Sequence, residues 1–163
     1  MSFPTLKLSY FDLDGRAAAT RLALFIGRIP FHDDRFPPEE MAVRKISCPY
    51  GVVPTLEVDG VVMAESSAIA RYAARLAGLY PTNNPTAALM VDEFMHVIDE
   101  FGERFSPWYT EIDAEQKKME ENRLLEDVIP RYLRQIEARL ERMQQFPTFQ
   151  DASRLYIHEL WIQ

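Results

Sequence analysis

The sequence predicts an α/β unit followed by an all-helical unit, and three observations carry this prediction. Residues 1–80 contain short β-branched or alternating segments between helical patterns, whereas the later residues contain only long helical stripes. A Pro/Asn-rich turn signal at residues 81–85 separates the two parts. All the excess negative charge lies after this turn, with nine basic and sixteen acidic side chains against nine of each before it. We therefore expect an α/β domain over residues 1–80 and a helical domain over residues 86–163.

Composition and charge exclude several classes of function. The net charge of -7 argues against a general nucleic-acid binder, which needs a basic surface to neutralise phosphates. No apolar run reaches the roughly 18 residues of a membrane span, and the chain does not begin like a secretory signal. Its single cysteine, Cys48, suits a reducing compartment, so we expect a cytoplasmic protein. The three histidines lie far apart in the sequence, so we expect no metal site.

The first 36 residues predict a strand, a helix and a second strand. Leu6–Phe11 alternates apolar and polar residues, as a half-buried strand does, and a turn cluster follows at residues 12–15. From residue 16 to about Gly27, apolar residues recur at helical spacing, which predicts an amphipathic helix closed by a glycine. Its predicted apolar face contains Ala18, Leu22 and Phe25. A weaker strand is predicted over Phe31–Phe36.

A hairpin and a helix complete the predicted first domain. Two β-branched runs flank Asp59-Gly60, and Asp-Gly between such runs is a strong signal for a two-residue hairpin turn. Apolar positions then recur at helical spacing from Ile69 to Leu76. Ser66 precedes them as a capping residue and Gly78 follows them. This pattern predicts a helix that is capped at both ends.

Two long helical stripes dominate the second part. The first predicts one continuous helix ending near residues 106–107, with its apolar face formed by Met90, Phe94, Val97, Phe101 and Phe105. The second predicts a helix kinked at Pro130, with its apolar positions at Leu125, Ile129, Leu133, Ile136, Leu140 and Met143. We expect both stripes to pack in a core.

Several of these features together resemble a known family. The stretches SCPYGVVPTLEVDG (47–60) and AESSAIARYAARLAGLYP (64–81), a tyrosine near the end of the first strand and Gly15-Arg16 opening the first helix resemble a cytosolic glutathione transferase. The resemblance is closest to the tyrosine-using group, which includes the sigma, pi, mu and alpha branches, and is sigma-like. It implies a thioredoxin-like first domain, an all-α second domain and glutathione as co-substrate, without a metal.

The resemblance implies a catalytic tyrosine. The family's reaction joins the sulfur of glutathione to an electrophile, and the thiolate is the nucleophile. Tyr10, at the end of the first strand, matches the residue that donates a hydrogen bond to this thiolate. Arg16 would support the positive field around it. A tyrosine at a strand end also commonly packs in a core, and the downstream motifs favour the catalytic interpretation.

Two further motifs are implied to bind the tripeptide. A cis bond before Pro54 would present the Val53 backbone to the cysteinyl unit, with the Val52 backbone beside it. An ordinary trans proline is the alternative, since only about 5 to 6% of X-Pro bonds are cis. At the start of the last helix of the first domain, Ser66 would receive the γ-glutamyl carboxylate and Glu65 would face the amino group.

Other residues are implied to complete the site. Lys45 would hold the glycyl carboxylate, and a solvated loop lysine is an equally good interpretation. Asp99 or Glu100 would reach the glutathione of the partner subunit in a homodimer. A pocket for the second substrate would be lined by Phe11, Trp108 and Tyr109, each of which could instead serve packing.

The C-terminal end departs from the family pattern. The segment LYIHELWIQ (155–163) looks like part of the family's buried helix, and by this resemblance we expect the turn before it and everything beyond it to be missing. We therefore expect a helical domain that is truncated relative to the family. Such an end would expose apolar side chains, including Trp161 and Ile162.

Three functions are compatible with these expectations. The first is a glutathione transferase that conjugates hydrophobic electrophiles in detoxification. The second is a glutathione-fold binding or scaffold protein without turnover, and the third is a glutathione-dependent isomerase of the prostaglandin type. A glutaredoxin-like role for Cys48 fits less well, because Gly51 stands where a resolving cysteine would be needed.

Overall fold

The computed structural model of the protein describes residues 3–144. The chain divides into two compact units, residues 1–88 and 89–163, and each is described by itself. The predicted domain bounds, 1–80 and 86–163, stay a prediction. The C-terminal segment with Trp161 and Ile162 lies outside the described residues. Among residues 3–144, no helix has the length and apolar character that crossing a membrane requires.

Four strands form one sheet in the first unit. They are β1 (Leu6–Phe11), β2 (His32–Phe36), β3 (Thr55–Val58) and β4 (Val61–Met63). β1 is a central strand, parallel to β2 and antiparallel to β3, and the order across the sheet is β2-β1-β3-β4. The residue patterns that predicted strands in these segments are confirmed.

Three helices accompany the sheet: α1 (Ala18–Ile26), α2 (Met41–Arg44) and α3 (Ser66–Leu76). A 3₁₀ turn, Gly15–Ala17, leads from the end of β1 into α1, and α1 packs against α3. The order strand, helix, strand, hairpin, helix is the predicted thioredoxin-like arrangement. Its buried core comprises Leu6, Leu8, Tyr10, Ala17, Ala23, Leu24, Ile29, Leu56, Ile69 and Ala73.

The buried face of α1 differs from the predicted one. Leu22 and Phe25 are 58% and 79% exposed, whereas Ala17, Thr20 and Leu24 are completely buried. Each helical residue turns the chain by about 100°, so a shift of one residue selects another face. In a helix rich in Ala and Leu, more than one face is apolar enough to pass as the core face.

The hairpin has the turn that its sequence predicts. Asp59 and Gly60 both have positive φ, 49° and 86°, and they join β3 directly to β4. Two consecutive positive φ values define the turn that matches the twist of a two-residue hairpin. Downstream, Gly78 has a φ of 70° just after the end of α3, as a helix-terminating glycine should.

In the described part of the second unit, helices are the only regular secondary structure. Its helices are α4 (Pro85–Glu103), whose first residues belong to the first unit, α5 (Ser106–Thr110), α6 (Ala114–Arg123) and α7 (Ile129–Met143). A π-helical segment, Leu124–Val128, joins α6 to α7. Leu124, Val128 and Tyr132 form a buried cluster against which other apolar residues pack, namely Phe101, Phe105, Trp108 and Ile129.

Proline explains two differences from the predicted helices. The first stripe does not form one helix to residue 105, because α4 ends at Glu103 and α5 begins at Ser106. Pro107 has no N–H to donate to the Glu103 carbonyl, so the helix cannot continue through it. Pro130 likewise has no N–H to donate to the carbonyl four residues earlier. A kink was predicted at this proline, and the structure has a π-helical segment directly before it.

The core face of the second stripe was predicted wrongly at three positions. Leu125, Leu133 and Leu140 are 58%, 54% and 36% exposed. The residues buried in their place, Leu124, Val128 and Tyr132, are spaced by four along the chain. The π-helical segment has more residues per turn than an α-helix, so it rotates the buried face relative to the sequence. A prediction that assumed regular α-helical spacing therefore chose the wrong residues.

Candidate functional site

Tyr10 lies at the end of β1 with its ring in the core. The alternation of β1 buries Leu6, Leu8 and Tyr10 on one face, and Tyr10 is only 7% exposed. The hydroxyl lies at the far end of this ring and accepts a hydrogen bond from the Arg16 backbone N–H, at 3.3 Å. The ring of Tyr10 therefore packs in the core while its hydroxyl makes a polar contact, so the two roles are compatible.

Gly15 permits this close approach. It has a φ of +36°, and a Cβ atom placed on it would lie 2.8 Å from the Tyr10 hydroxyl and 2.6 Å from Leu13 Cδ1. Both distances are shorter than real Cβ contacts allow. The 3₁₀ turn can press its backbone against the phenol because residue 15 has no side chain.

Arg16 meets Tyr10 through its main chain. The residue is exposed, and the backbone amide makes the contact with the hydroxyl. Because this amide sits in the first turn of the helical segment, it has no intrahelical partner and carries part of the positive end of the helix. The sequence predicted a positive electrostatic field from the Arg16 side chain. It did not reveal that the Arg16 backbone amide also contributes partial positive charge beside the Tyr10 hydroxyl.

Val53 and Pro54 immediately precede β3, the strand that pairs with β1. Ser9 pairs with Thr55 in the antiparallel register of β1 and β3, so the next positions place Pro54 opposite Tyr10. The Val53–Pro54 bond is cis, as predicted, and Pro54 is buried. Within residues 3–144, the backbone N–H and C=O of Val53 have no hydrogen-bond partner. Val52 is 42% exposed and extended.

Glu65, and not Ser66, is the N-cap of α3. Ser66 is the first helical residue, and the Glu65 carbonyl accepts the first helical hydrogen bond from Ile69, at 2.9 Å. Glu65 has a φ of 77°, which is unusual for a residue with a side chain. Neither capping by a side chain nor burial accounts for this conformation, since Glu65 is exposed and makes no cap hydrogen bond. Such strained residues cluster at functional sites.

Lys45 follows α2 and is exposed. Its neighbour Arg44 ties α2 to the sheet by donating to Asp34 at 2.8 Å, and Ser9 donates to the same carboxylate at 2.9 Å. Burial opposes the charge of Asp34, but these hydrogen bonds, together with the charges of Arg44 and Lys7, lower its pKa below the ordinary value. The ion pair therefore persists at neutral pH and is lost only on strong acidification.

Asp99 and Glu100 lie on α4, in the second unit. Glu100 accepts hydrogen bonds from Arg104 at 2.7 Å and from the Tyr132 hydroxyl at 3.0 Å. These two bonds lower the pKa of Glu100, which is therefore anionic at neutral pH. Asp99 is half-buried and has interactions of its own.

The residues predicted for a second-substrate pocket are divided between the units. The Phe11 ring packs between those of Tyr10 and Phe36 in tilted arrangements, with both centroid distances 5.2 Å. Trp108 packs against the core of the second unit, whereas Tyr109 is 70% exposed. A shared pocket of these residues stays a prediction.

Arg21 was missed by the sequence analysis. It is 8% exposed on α1, and its guanidinium lies 5.9 Å from the centre of the Tyr10 ring. No signal in the sequence indicated it, because the predicted apolar face of α1 held Ala18, Leu22 and Phe25, whereas the structure buries the face on which Arg21 lies between Ala17 and Leu24. Elsewhere, residues 3–144 contain no group of three or more His, Cys, Asp or Glu side chains that could hold a metal.

Comparison with known proteins identifies a matching family model and several similar proteins. Residues 17–76 match the family model of the glutathione S-transferase N-terminal domain. Hematopoietic prostaglandin D synthase of Gallus gallus is 36% identical over 134 residues, which are 82% of this chain and 66% of that protein. Glutathione S-transferase 2 of Caenorhabditis elegans is 30% identical over 123 residues, 76% of this chain and 65% of that protein.

A solved structure extends the comparison. Prostaglandin synthase D of Nilaparvata lugens is 35% identical and has a TM-score of 0.80, covering 86% of this chain and 70% of that one. The chain spans 65% to 66% of the length of the two curated relatives above.

The close approach at Gly15 can be tested by adding one methyl group. We expect Gly15→Ala to lower the free energy of unfolding by about 1–3 kcal/mol more than Gly51→Ala, because overpacking adds to the strain of a positive φ. Gly51 is the matched control, since it also has a positive φ but no atom within 4 Å of the position that a Cβ would take. Equal losses for the two variants in urea denaturation would show that the phenol contact is unimportant.

Proposed function

The chain belongs to the glutathione transferase family, and we propose that it activates the thiol of glutathione through Tyr10 for transfer to hydrophobic electrophiles. The observation that carries this proposal is the hydrogen bond from the Arg16 amide to the Tyr10 hydroxyl. The amide occupies a lone pair of the hydroxyl oxygen and thereby directs the hydroxyl proton elsewhere. This proton is the group that would bind the sulfur.

The energy needed for thiolate formation is within reach of this arrangement. A thiol has a pKa near 8.5, and lowering it by about two units requires about 2.7 kcal/mol of preferential thiolate binding. One hydrogen bond to a charged partner supplies roughly 1.5 to 3 kcal/mol, and a helix N-terminus adds roughly 0.3 to 1 kcal/mol. The thiolate would then form a bond to the electrophilic carbon, and the leaving group would depart with its electron pair.

Backbone groups near Tyr10 would hold the tripeptide. The unpaired N–H and C=O of Val53 suit the pairing of an extended peptide in the manner of an added strand. The Ser66 amide, the first of α3, suits a carboxylate because the first amide of a helix has no acceptor within that helix, and Glu65 would pair with the adjacent ammonium group. Lys45, which directly follows α2, would hold the glycyl carboxylate. The Arg44–Asp34 ion pair attaches α2 to the sheet and so helps to place Lys45.

A second candidate is glutathione-dependent isomerisation of a prostaglandin-type substrate. The similarity to two proteins named as prostaglandin D synthase or prostaglandin synthase D favours it. Both candidates would use the same thiolate, and analysis of the products separates a conjugate from an isomer. A third candidate is a glutathione-binding scaffold, for which calorimetry would detect the tripeptide but no turnover would follow.

The proposal includes a cytoplasmic homodimer. Val61, Val62 and Met63 form the edge strand β4 and are 59%, 39% and 49% exposed, and an exposed apolar edge strand favours pairing with another chain. In such a dimer, Asp99 or the anionic Glu100 would reach the partner subunit's glutathione.

The proposed cytoplasmic location rests on the single cysteine, which suits a reducing compartment.

Sedimentation equilibrium tests the dimer. We expect a mass of twice the 18.9 kDa of one chain, and a shift toward the single-chain mass in Val62→Lys, which places a charge on the exposed edge. A wild-type protein that remains at the single-chain mass at all concentrations would contradict the proposed assembly.

Turnover tests the role of Tyr10. We expect Tyr10→Phe to lower kcat/KM for conjugation of a chloronitrobenzene about 10- to 100-fold, the loss that corresponds to one hydrogen bond of roughly 1.5–3 kcal/mol to a charged group. Tyr80→Phe is the matched control, because Tyr80 is also 7% exposed, and it should retain the wild-type rate. Unchanged turnover in folded Tyr10→Phe would reject the proposed mechanism.

A further inference from the structure

Arg21 is a buried charge whose hydrogen bonds converge on the segment after Tyr10. Its Nε donates to both carboxylate oxygens of Asp33, at 3.1 and 3.2 Å. Its terminal nitrogens donate to the carbonyl of Leu13 and, at 3.4 Å, to that of Phe11. A guanidinium is costly to bury unless its donors are satisfied, and here each of its nitrogens has an acceptor.

These contacts hold the connection between Tyr10 and Arg16. Phe11 and Leu13 are the first and third residues after Tyr10, and their carbonyls bond to the same guanidinium. Asp33 lies on β2, and Arg21 lies on α1, so the side chain joins this connection to two elements of the core. The guanidinium also lies at a cation–π distance from the Tyr10 ring, 5.9 Å from its centre.

We propose that Arg21 is a positioning residue for Tyr10: it fixes the 11–13 segment and the phenol ring so that the hydroxyl meets the Arg16 amide. This inference rests on the proposed function for its effect on catalysis, but its structural part does not. Arg21 acts through Tyr10 and need not touch glutathione. A displacement of about 1 Å at a reacting group can cost about 100-fold in rate, so a residue of this kind affects turnover without contacting substrate.

A neighbouring arginine provides a matched control. Arg35 also donates to Asp33, at 2.7 Å, and to the same connection through the Asp12 carboxylate, at 3.2 Å. It differs in being 39% exposed at its side chain and in bonding carboxylates only, with no carbonyl of the 11–13 segment among its partners. Comparing Arg21→Lys with Arg35→Lys therefore separates the buried arginine, which bonds the carbonyls of the 11–13 segment, from an exposed arginine that pairs with the same Asp33 carboxylate.

Hydrogen exchange of the Arg16 amide, followed by NMR, tests the positioning without any assay of activity. We expect about fivefold faster exchange in Tyr10→Phe, which removes the acceptor, since a net hydrogen bond is worth about 1 kcal/mol. Arg21→Lys should show a similar acceleration, because lysine keeps the charge but lacks the planar fork, whereas Arg35→Lys should exchange at the wild-type rate. Wild-type protection of this amide in folded Arg21→Lys would overturn the proposal.

A double-mutant cycle then tests the effect on catalysis. Arg21→Lys should lower kcat/KM about tenfold or more in the wild-type background and should have little further effect in Tyr10→Phe. Equal losses in both backgrounds would show a general structural role and overturn the proposal. If Tyr10→Phe alone has no effect on turnover, the proposed function fails, while the exchange of the Arg16 amide still decides the positioning. Where circular dichroism shows that Arg21→Lys does not fold, Asp33→Asn loosens the guanidinium and should accelerate that exchange in the same direction.

Discussion

The contact between the Tyr10 hydroxyl and the Arg16 amide is the constraint on which the rest of the candidate site depends. It joins the end of a central strand to the start of the next helical segment over six residues. The strand fixes the ring by burial, and the absence of a side chain at Gly15 lets the turn approach the oxygen. Any function that uses the phenol as a donor requires this geometry, because the amide determines where the hydroxyl proton can point.

The sheet brings the other proposed binding groups into the same neighbourhood. The antiparallel register of β1 and β3 places Pro54 opposite Tyr10, which leaves the Val53 backbone at the end of the pairing. On the other side of β1, β2 supplies Asp34 to Arg44 and Asp33 to Arg21. One strand thus anchors the segment before Lys45 and, through Arg21, the segment after Tyr10. The core that stabilises the fold and the groups that would bind glutathione share these strands.

Local signals predicted the parts of the site that depend on local chemistry. Asp59-Gly60 specifies its own turn, whereas the cis bond before Pro54 was expected from the family resemblance, and the structure contains it. Arg21 could not be recognised in the same way, because its burial depends on Asp33 and on carbonyls contributed by another segment. The faces of α1 and α7 were misjudged since apolar spacing alone does not choose between adjacent faces. The cap of α3 was also displaced by one residue, because the backbone of Glu65 takes a conformation that propensity disfavours.

Ionisation of glutathione bound to the protein shows directly whether Tyr10 stabilises the thiolate. The ultraviolet absorbance of the thiolate would be titrated against pH with the wild-type protein and with Tyr10→Phe, each saturated with glutathione. We expect a midpoint about two units below the value near 8.5 of a free thiol for the wild type, and a midpoint near that of the free thiol for the variant. Superimposable titrations of the two bound complexes would contradict this expectation, since the phenol would then contribute nothing to the charge on sulfur.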